Sequence, residues 1–186
     1  GMSGSSRPVL SPGNIGLFIG FEQCPRYLQQ SLGKIAGNED ELGIFLSEIG
    51  NRFEEDITEN IKQDAVGLYD GSEWDVSDDP EIGRREVREE FADLVDDATV
   101  TSPVVIEQPP ARGYIDVWGI KGRGDMLAFW ESPDGSLIAH IFEVKASSDV
   151  QPYHQIQAGI YALIFENILE SVVEELKIRI SVVHRE

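Results

Sequence analysis

The chain has 186 residues, 41% of them apolar, enough for one domain with a real hydrophobic core; this composition excludes a disordered or fibrous chain. Asp and Glu number 34 against 15 Lys and Arg, a formal net charge of −19, and lysine stands only at Lys34, Lys62, Lys121, Lys145 and Lys177. No apolar run approaches the roughly 18 residues of a spanning helix and no charged-then-apolar leader is visible, so the expectation is a cytoplasmic protein without a membrane role.

Two readings of the charge stay open. One is a merely acidic protein that avoids nucleic acid. The other is adaptation to molar salt, where the Debye length shrinks to about 3 Å and acidic self-repulsion is screened. Under the second, halophilic reading, the charge describes the surroundings and leaves DNA possible as a substrate.

Gly1 precedes Met2 and, with residues 3–6, reads as a tag and flexible lead-in; residues 7–186 read as a single domain. Residues 14–32 carry Ile15, Phe18, Ile19, Tyr27 and Leu28 in a broken helical pattern, with Pro25 at a boundary and Gly33 as a stop. Residues 39–65 predict a long helix, with Leu42, Phe45, Leu46, Ile49, Phe53, Ile57 and Ile61 on one face. Residues 70–80 are polar and turn-rich, and residues 80–97 predict a second amphipathic helix through Ile82, Val87, Phe91, Leu94 and Val95.

The pattern then changes to strands at 104–107, 114–120, 125–131 and 137–145, the last two flanking the hairpin loop Ser132-Pro133-Asp134-Gly135-Ser136. Residues 150–169 are helical in pattern, and Leu176, Ile178, Ile180 and Val182 alternate as a half-buried final strand. The predicted order is helix, three or four strands, helix, strand. The chain stops at His184-Arg185-Glu186, directly after a strand, as a domain cut from a longer protein would.

The residues that can carry chemistry are Asp125 and Glu143-Val144-Lys145. Glu143 and Lys145 differ by two, so on a strand they share a side, and Asp125 lies on the neighbouring hairpin arm. Two carboxylates and an ammonium are costly to bury as packing. They suit a hard divalent cation such as Mg²⁺, which takes oxygen ligands and can activate water against a phosphate. By itself, Glu-x-Lys reads more readily as an exposed ion pair on a hairpin edge.

Four motif stretches change that balance. Gly122-Arg123-Gly124-Asp125 resembles the Gly-x-x-Asp strand of RecB-like nucleases of the PD-(D/E)XK superfamily, a branch related to CRISPR-associated adaptation exonucleases. Phe142-Glu143-Val144-Lys145 resembles their Glu-x-Lys strand, Gln157-Ala158-Gly159-Ile160-Tyr161 their Gln-x-x-x-Tyr helix, and Cys24-Pro25-Arg26 their early Cys-Pro-Arg element. These motifs come in the family's order and span residues 14–183.

The resemblance implies an α/β (α+β) restriction-endonuclease-like fold, an αβββαβ core whose mixed central sheet is flanked by helices, with residues 39–65 as its first helix. It implies Mg²⁺ or Mn²⁺ on Asp125, Glu143 and the Val144 carbonyl. Lys145 would be catalytic, and Gln157 and Tyr161, on one helix face, would act beside it and the DNA strand. The branch carries a histidine soon after a glycine on its first long helix. Here Glu54, after Gly50, stands at that place, either as a further metal ligand or as part of a solvated acidic face.

In iron–sulfur members the cysteine corresponding to Cys24 is one of four ligands. This chain has a single cysteine, so no iron–sulfur cluster is expected within it. Arg26 and Arg123 are the basic residues expected to serve structure or to touch a DNA backbone; His140, His154 and His184 receive no catalytic role.

The activity implied is metal-dependent DNA cleavage, endo or exo, in repair, recombination or defence, with DNA and a paired or fused helicase as partners. The alternatives are a catalytically silent DNA-binding or helicase-docking module of the same fold, and an acidic interaction protein whose motif match is chance.

Overall fold

β-Branched and aromatic side chains crowd residues 126–144, and the Ser132–Ser136 stretch reverses the chain between them. Gly135 takes φ +86°, a left-handed conformation that favours glycine, and Ser132 N donates to Ser136 O at 2.7 Å. The computed structural model describes residues 9–10, 52–145 and 152–184, with side chains for 58–144 and 156–183. The broken helical pattern of residues 14–32, the Cys24-Pro25-Arg26 element and residues 39–51 of the predicted long helix lie outside the described residues.

The chain is α+β. Its main sheet is mixed and six-stranded: β2 (Arg52–Glu54), β9 (Leu176–His184), β8 (Leu137–Lys145), β7 (Met126–Glu131), β4 (Val104–Glu107) and β3 (Gly67–Asp70), in that spatial order. Strand β7 runs antiparallel to β4 and β8, and the other neighbours pair in parallel. A hairpin of β5 (Pro110–Ile115) and β6 (Trp118–Arg123) leaves the main sheet between β4 and β7, and β1 (Val9–Leu10) pairs with β6 to complete a three-stranded second sheet.

Helices lie on both faces of the main sheet. Helix α2 (Pro80–Leu94) begins where Asp79 caps it, its carboxylate accepting from Glu81 N at 3.0 Å and Ile82 N at 2.9 Å, with Pro80 in the first turn. Its Phe91 packs edge-on to Phe129 of β7, ring centroids 5.4 Å apart, and at 5.9 Å from Phe165 of α3 (Pro152–Glu170). Helix α3 is apolar nearly all round and is correspondingly enclosed, by β8 and β9 on one side and by β5 and α2 on the other. On the opposite face, Ile61 follows from α1 (Glu55–Gln63) onto Val105, Met126, Phe142 and Val183. Among the described residues no helix is long and apolar enough to cross a membrane.

Three sequence expectations need correction. The long helix of residues 39–65 does not run through 52–54, which pair with β9 as a strand; the helix starts at Glu55 and ends at Gln63. The apolar spacing of Phe53, Ile57 and Ile61 continues across that join, so periodicity could not see it, and long-range pairing overrode local preference. The helix directly before β4 is therefore α2. The single strand expected at 114–120 is two strands, because Asp116 at φ +53° turns the chain back without the glycine that normally marks a hairpin. Edge strand β3 has no counterpart among the expected elements, since it is only four residues long with Leu68 exposed. In the main sheet alone, the order from α2 onward is helix, three strands, helix, strand: α2, β4, β7, β8, α3, β9.

Candidate active site at the carboxyl ends of the strands

The site forms where β3, β4, β8 and β9 end and β7 begins. Four backbone features fix Asp125 there. Gly124 N donates to Pro109 O at 2.9 Å, and Gln108 N, at a left-handed φ of +49°, donates to Asp125 O at 3.0 Å. A Cβ on Gly124 would stand 3.2 Å from Pro109 Cγ and 3.4 Å from Phe165, so glycine permits this close approach. The β7–β8 register pairs Met126 with Phe142, and its next step brings Asp125 across from Glu143. Asp125 is exposed, and its Oδ2 accepts from Val144 N at 2.7 Å.

The N–H and C=O of one residue leave the same edge of an extended strand, so the Val144 carbonyl is also directed toward Asp125. Glu143 is 1% exposed. Alternation along β8 puts Ala139, Ile141 and Glu143 on the α3 face, whereas Phe142 belongs to the α1 face.

Helix α3 brings the next two groups. Tyr161, 4% exposed, stacks against Phe165 with centroids 6.2 Å apart. Burial pushes its phenol well above the usual tyrosine range, and the charges of Glu143 and, more weakly, Asp125 push it further. Hydrogen bonds from the Gln157 side chain and the Arg123 backbone oppose that shift. Gln157, one helical turn before Tyr161, hydrogen-bonds the phenol, and the phenol feels the charge of both carboxylates.

The parallel register sets a second row beyond Glu143. Glu143 pairs with Val182, and Val182 with Arg52; Lys145 pairs with His184, and His184 with Glu54. Lys145 and Glu54 therefore end the two strands that flank β9 in one sheet, and their side chains lie outside the described residues. His184 is the last residue of β9. His140 keeps no part in the site. It faces α1, with Nε2 2.7 Å from Ser181 Oγ and its ring stacked 3.9 Å from Phe142, and burial followed by the Arg179 charge lowers its pKa to about 4. The side chain of His154 lies outside the described residues.

Chemically, an exposed carboxylate, a buried carboxylate and a peptide carbonyl are hard oxygen donors. They fit Mg²⁺ or Mn²⁺, which use one or two protein carboxylates and complete their shell with water and phosphate. Among the described residues no group of three or more His, Cys, Asp or Glu side chains is placed to hold an ion. A cation here would rest on Asp125, Glu143 and the Val144 carbonyl.

Sequence reasoning expected a structural or DNA-backbone role for Arg123 but could not name its partners within the chain. Its Nη1 donates to Gly71 O at 2.9 Å and Gln108 O at 3.3 Å, contacts to backbone from distant parts of the chain that leave no local signal. Compared with known protein families, curated proteins and solved structures, the chain has no match.

Proposed function

We propose that the protein is a metal-dependent deoxyribonuclease of the RecB-like kind, hydrolysing phosphodiester bonds at the Asp125–Glu143 centre. The observation that carries this reading is convergence. Two carboxylates stand opposite one another at one end of the sheet, the end where open α/β sheets place their ligands, and Tyr161 of the following helix, hydrogen-bonded by Gln157, feels both charges. The helix, three strands, helix, strand order of the main sheet supports the αβββαβ core that the motifs imply.

Asp125, Glu143 and the Val144 carbonyl would hold Mg²⁺ or Mn²⁺. Once bound, the cation supplies neutralisation of phosphate charge and a more acidic water. Lys145, two residues beyond Glu143 on the same strand, is assigned the ammonium that orients the attacking water and stabilises charge developing on the phosphate. Tyr161, held protonated by burial and by the two acids, is a hydrogen-bond donor at every ordinary pH. Gln157 fixes its orientation. Glu54 would join as a ligand from the end of β2.

The roles that suit such a centre are DNA repair, recombination or defence, alone or beside a helicase, in the cytoplasm of a halophilic organism. The acid excess then keeps the surface hydrated in molar salt, and the melting temperature should rise from low to molar KCl as screening relieves self-repulsion. A flat or falling melting temperature removes the salt-adaptation part of the reading.

The deciding experiment incubates the protein with single- and double-stranded DNA, with Mg²⁺ or Mn²⁺, across a salt series. Metal-dependent cleavage abolished by chelation is the expected result. A metal-induced rise in melting temperature without cleavage on any substrate would make the chain a binding or docking module. Neither effect would reduce the motifs to chance.

A further inference from the structure

Most described cations of this acid-rich chain are neutralised internally. Lys62, Arg84, Arg85, Arg112, Lys121 and Lys177 each face a carboxylate within 4 Å. Arg123 differs. It is exposed, and among the described residues its guanidinium is hydrogen-bonded only through Nη1, to the carbonyls of Gly71 and Gln108. Asp70, an acid that feels its charge, is instead engaged by Ser72, accepting from its N at 3.0 Å and its Oγ at 2.6 Å.

The anchor is rigid. A Cβ on Gly71 would come within 2.6 Å of Gln108 O, so the exits of β3 and β4 are pressed together, and Nη1 bridges them. The same Gln108 donates from its N to Asp125 O, and the Arg123 backbone hydrogen-bonds Tyr161. One end of the guanidinium is therefore tied to the frame that carries Asp125, and Nε and Nη2 remain as a fork on the solvent side. A planar fork with a permanent charge matches phosphate oxygens, and anchoring one nitrogen lowers the entropy lost when the others bind.

We propose that Arg123 is a phosphate-binding residue, a pre-anchored fork that grips the backbone of a nucleic-acid strand next to the Asp125–Glu143 centre. This rests on the nuclease reading and deepens it by naming a contact for the substrate.

The test uses the full chain as wild type, Arg123→Gln and Arg123→Lys. Binding of a fluorescent single-stranded oligonucleotide is measured with Ca²⁺ in place of Mg²⁺, at 50 to 200 mM salt, the range over which phosphate contacts are resolved. Arg123→Gln retains a donor for the anchor and lacks the charge. It should bind roughly tenfold or more weakly at low salt, as expected for a lost charged hydrogen bond. Its log–log salt slope should be shallower by about 0.7, one single-strand phosphate contact.

Arg123→Lys should keep the wild-type slope with intermediate affinity. With Mg²⁺, KM should rise more than kcat falls in Arg123→Gln, and the Mn²⁺-induced gain in melting temperature should match wild type. Wild-type affinity and slope in Arg123→Gln overturn the proposal and leave the nuclease reading standing. Loss of the Mn²⁺ gain in both variants also overturns it, because Arg123 would then only hold Asp125 in place. A wild type that neither binds nor cuts DNA removes the nuclease reading itself, and the arginine's role with it.

Discussion

The two ends of strand β8 carry carboxylates in opposite situations. At the Leu137 end, Asp134 is exposed and its charge is answered from within the chain. Lys177 Nζ lies 2.8 Å from its Oδ2, and Ser136 donates to its Oδ1 from N at 3.0 Å and from Oγ at 2.6 Å. The Lys177 hydrogen bond, then those of Ser136, hold this carboxyl far below the usual aspartate range. At the Lys145 end, Glu143 is buried, Asp125 stands across from it, and the described group that feels both is a phenol.

A cavity of about 450 Å³ opens at the Leu137 end, lined among others by Asp96, Glu131, Asp134, Glu174 and Glu175, and contains none of the converging groups. The density of surface acid thus points to that end, and the convergence of unlike functional groups points to the other. Convergence is the better guide. Surface acids cost little, whereas two carboxylates set close together, one of them buried, are costly to hold unless opposite charge or hydrogen bonds answer them.

The comparison breaks first on Lys145. Lys145→Ala should lower the cleavage rate roughly 10²- to 10³-fold, the effect of removing one preorganised charge, with melting temperature retained. Single-turnover cleavage measures it, and an unchanged rate would make the Lys145 end chemically equal to the other.

The second test sets the two ends side by side. At a hundredfold excess of Mn²⁺ over its dissociation constant, the folded protein should gain about 2.7 kcal/mol, read as a rise in melting temperature at constant high salt. Asp125→Asn should gain less and be inactive, though its amide oxygen can still accept from Val144 N. Asp134→Asn should gain as much as wild type. Equal losses in the two variants would mean that Mn²⁺ is responding to acidity in general.

His140, mid-strand on the opposite face, gives a smaller effect with a defined sign. Its folded pKa, lowered to about 4, lies below the ordinary histidine value of about 6.5. The stability this implies is fully present above that ordinary value and is lost as pH falls from it toward the folded one. Because ordinary carboxylates titrate near 4, denaturant melts between about pH 6.5 and 5 isolate the histidine. His140→Gln should flatten stability over that window while leaving metal-dependent cleavage intact; the same slope in both proteins would show that His140 is not held neutral by burial.

The smallest change belongs to Asp134. A depressed carboxyl contributes stability above its unfolded pKa of about 3.9 and loses it as pH falls below that value. Because Asp134 is exposed, Asp134→Asn should alter the neutral-pH melting temperature little and appear mainly as a shallower acid limb. A large loss at neutral pH would make its loop a structural keystone of the hairpin.

Much of the architecture is legible in short stretches. The Ser132–Ser136 turn, the strict alternation from Leu176, the apolar run of α3 and the Asp79–Pro80 helix start are each set by residues a few positions apart, and each element appears within a few residues of its expected bounds. What was missed depends on distant partners. Strand β2 exists through its pairing with β9, β3 through its pairing with β4, and the β5–β6 turn through Asp116 in a left-handed conformation that no glycine announces.

The candidate site divides the same way. From the sequence alone, Glu143 and Lys145 belong on one side of a strand, Gln157 and Tyr161 on one side of a helix, and Asp125 on the neighbouring hairpin arm, because backbone periods of two and of 3.6 are local properties. Only the tertiary structure decided that the β7 register sets Asp125 opposite Glu143, that α3 brings Tyr161 within reach of both charges, and that Arg123 reaches carbonyls 52 and 15 residues away in the chain. Those outcomes depend on the packing of Phe91, Phe129 and Phe165 between helix and sheet and on parallel pairing across α3, interactions between residues too far apart in sequence for any local pattern to encode.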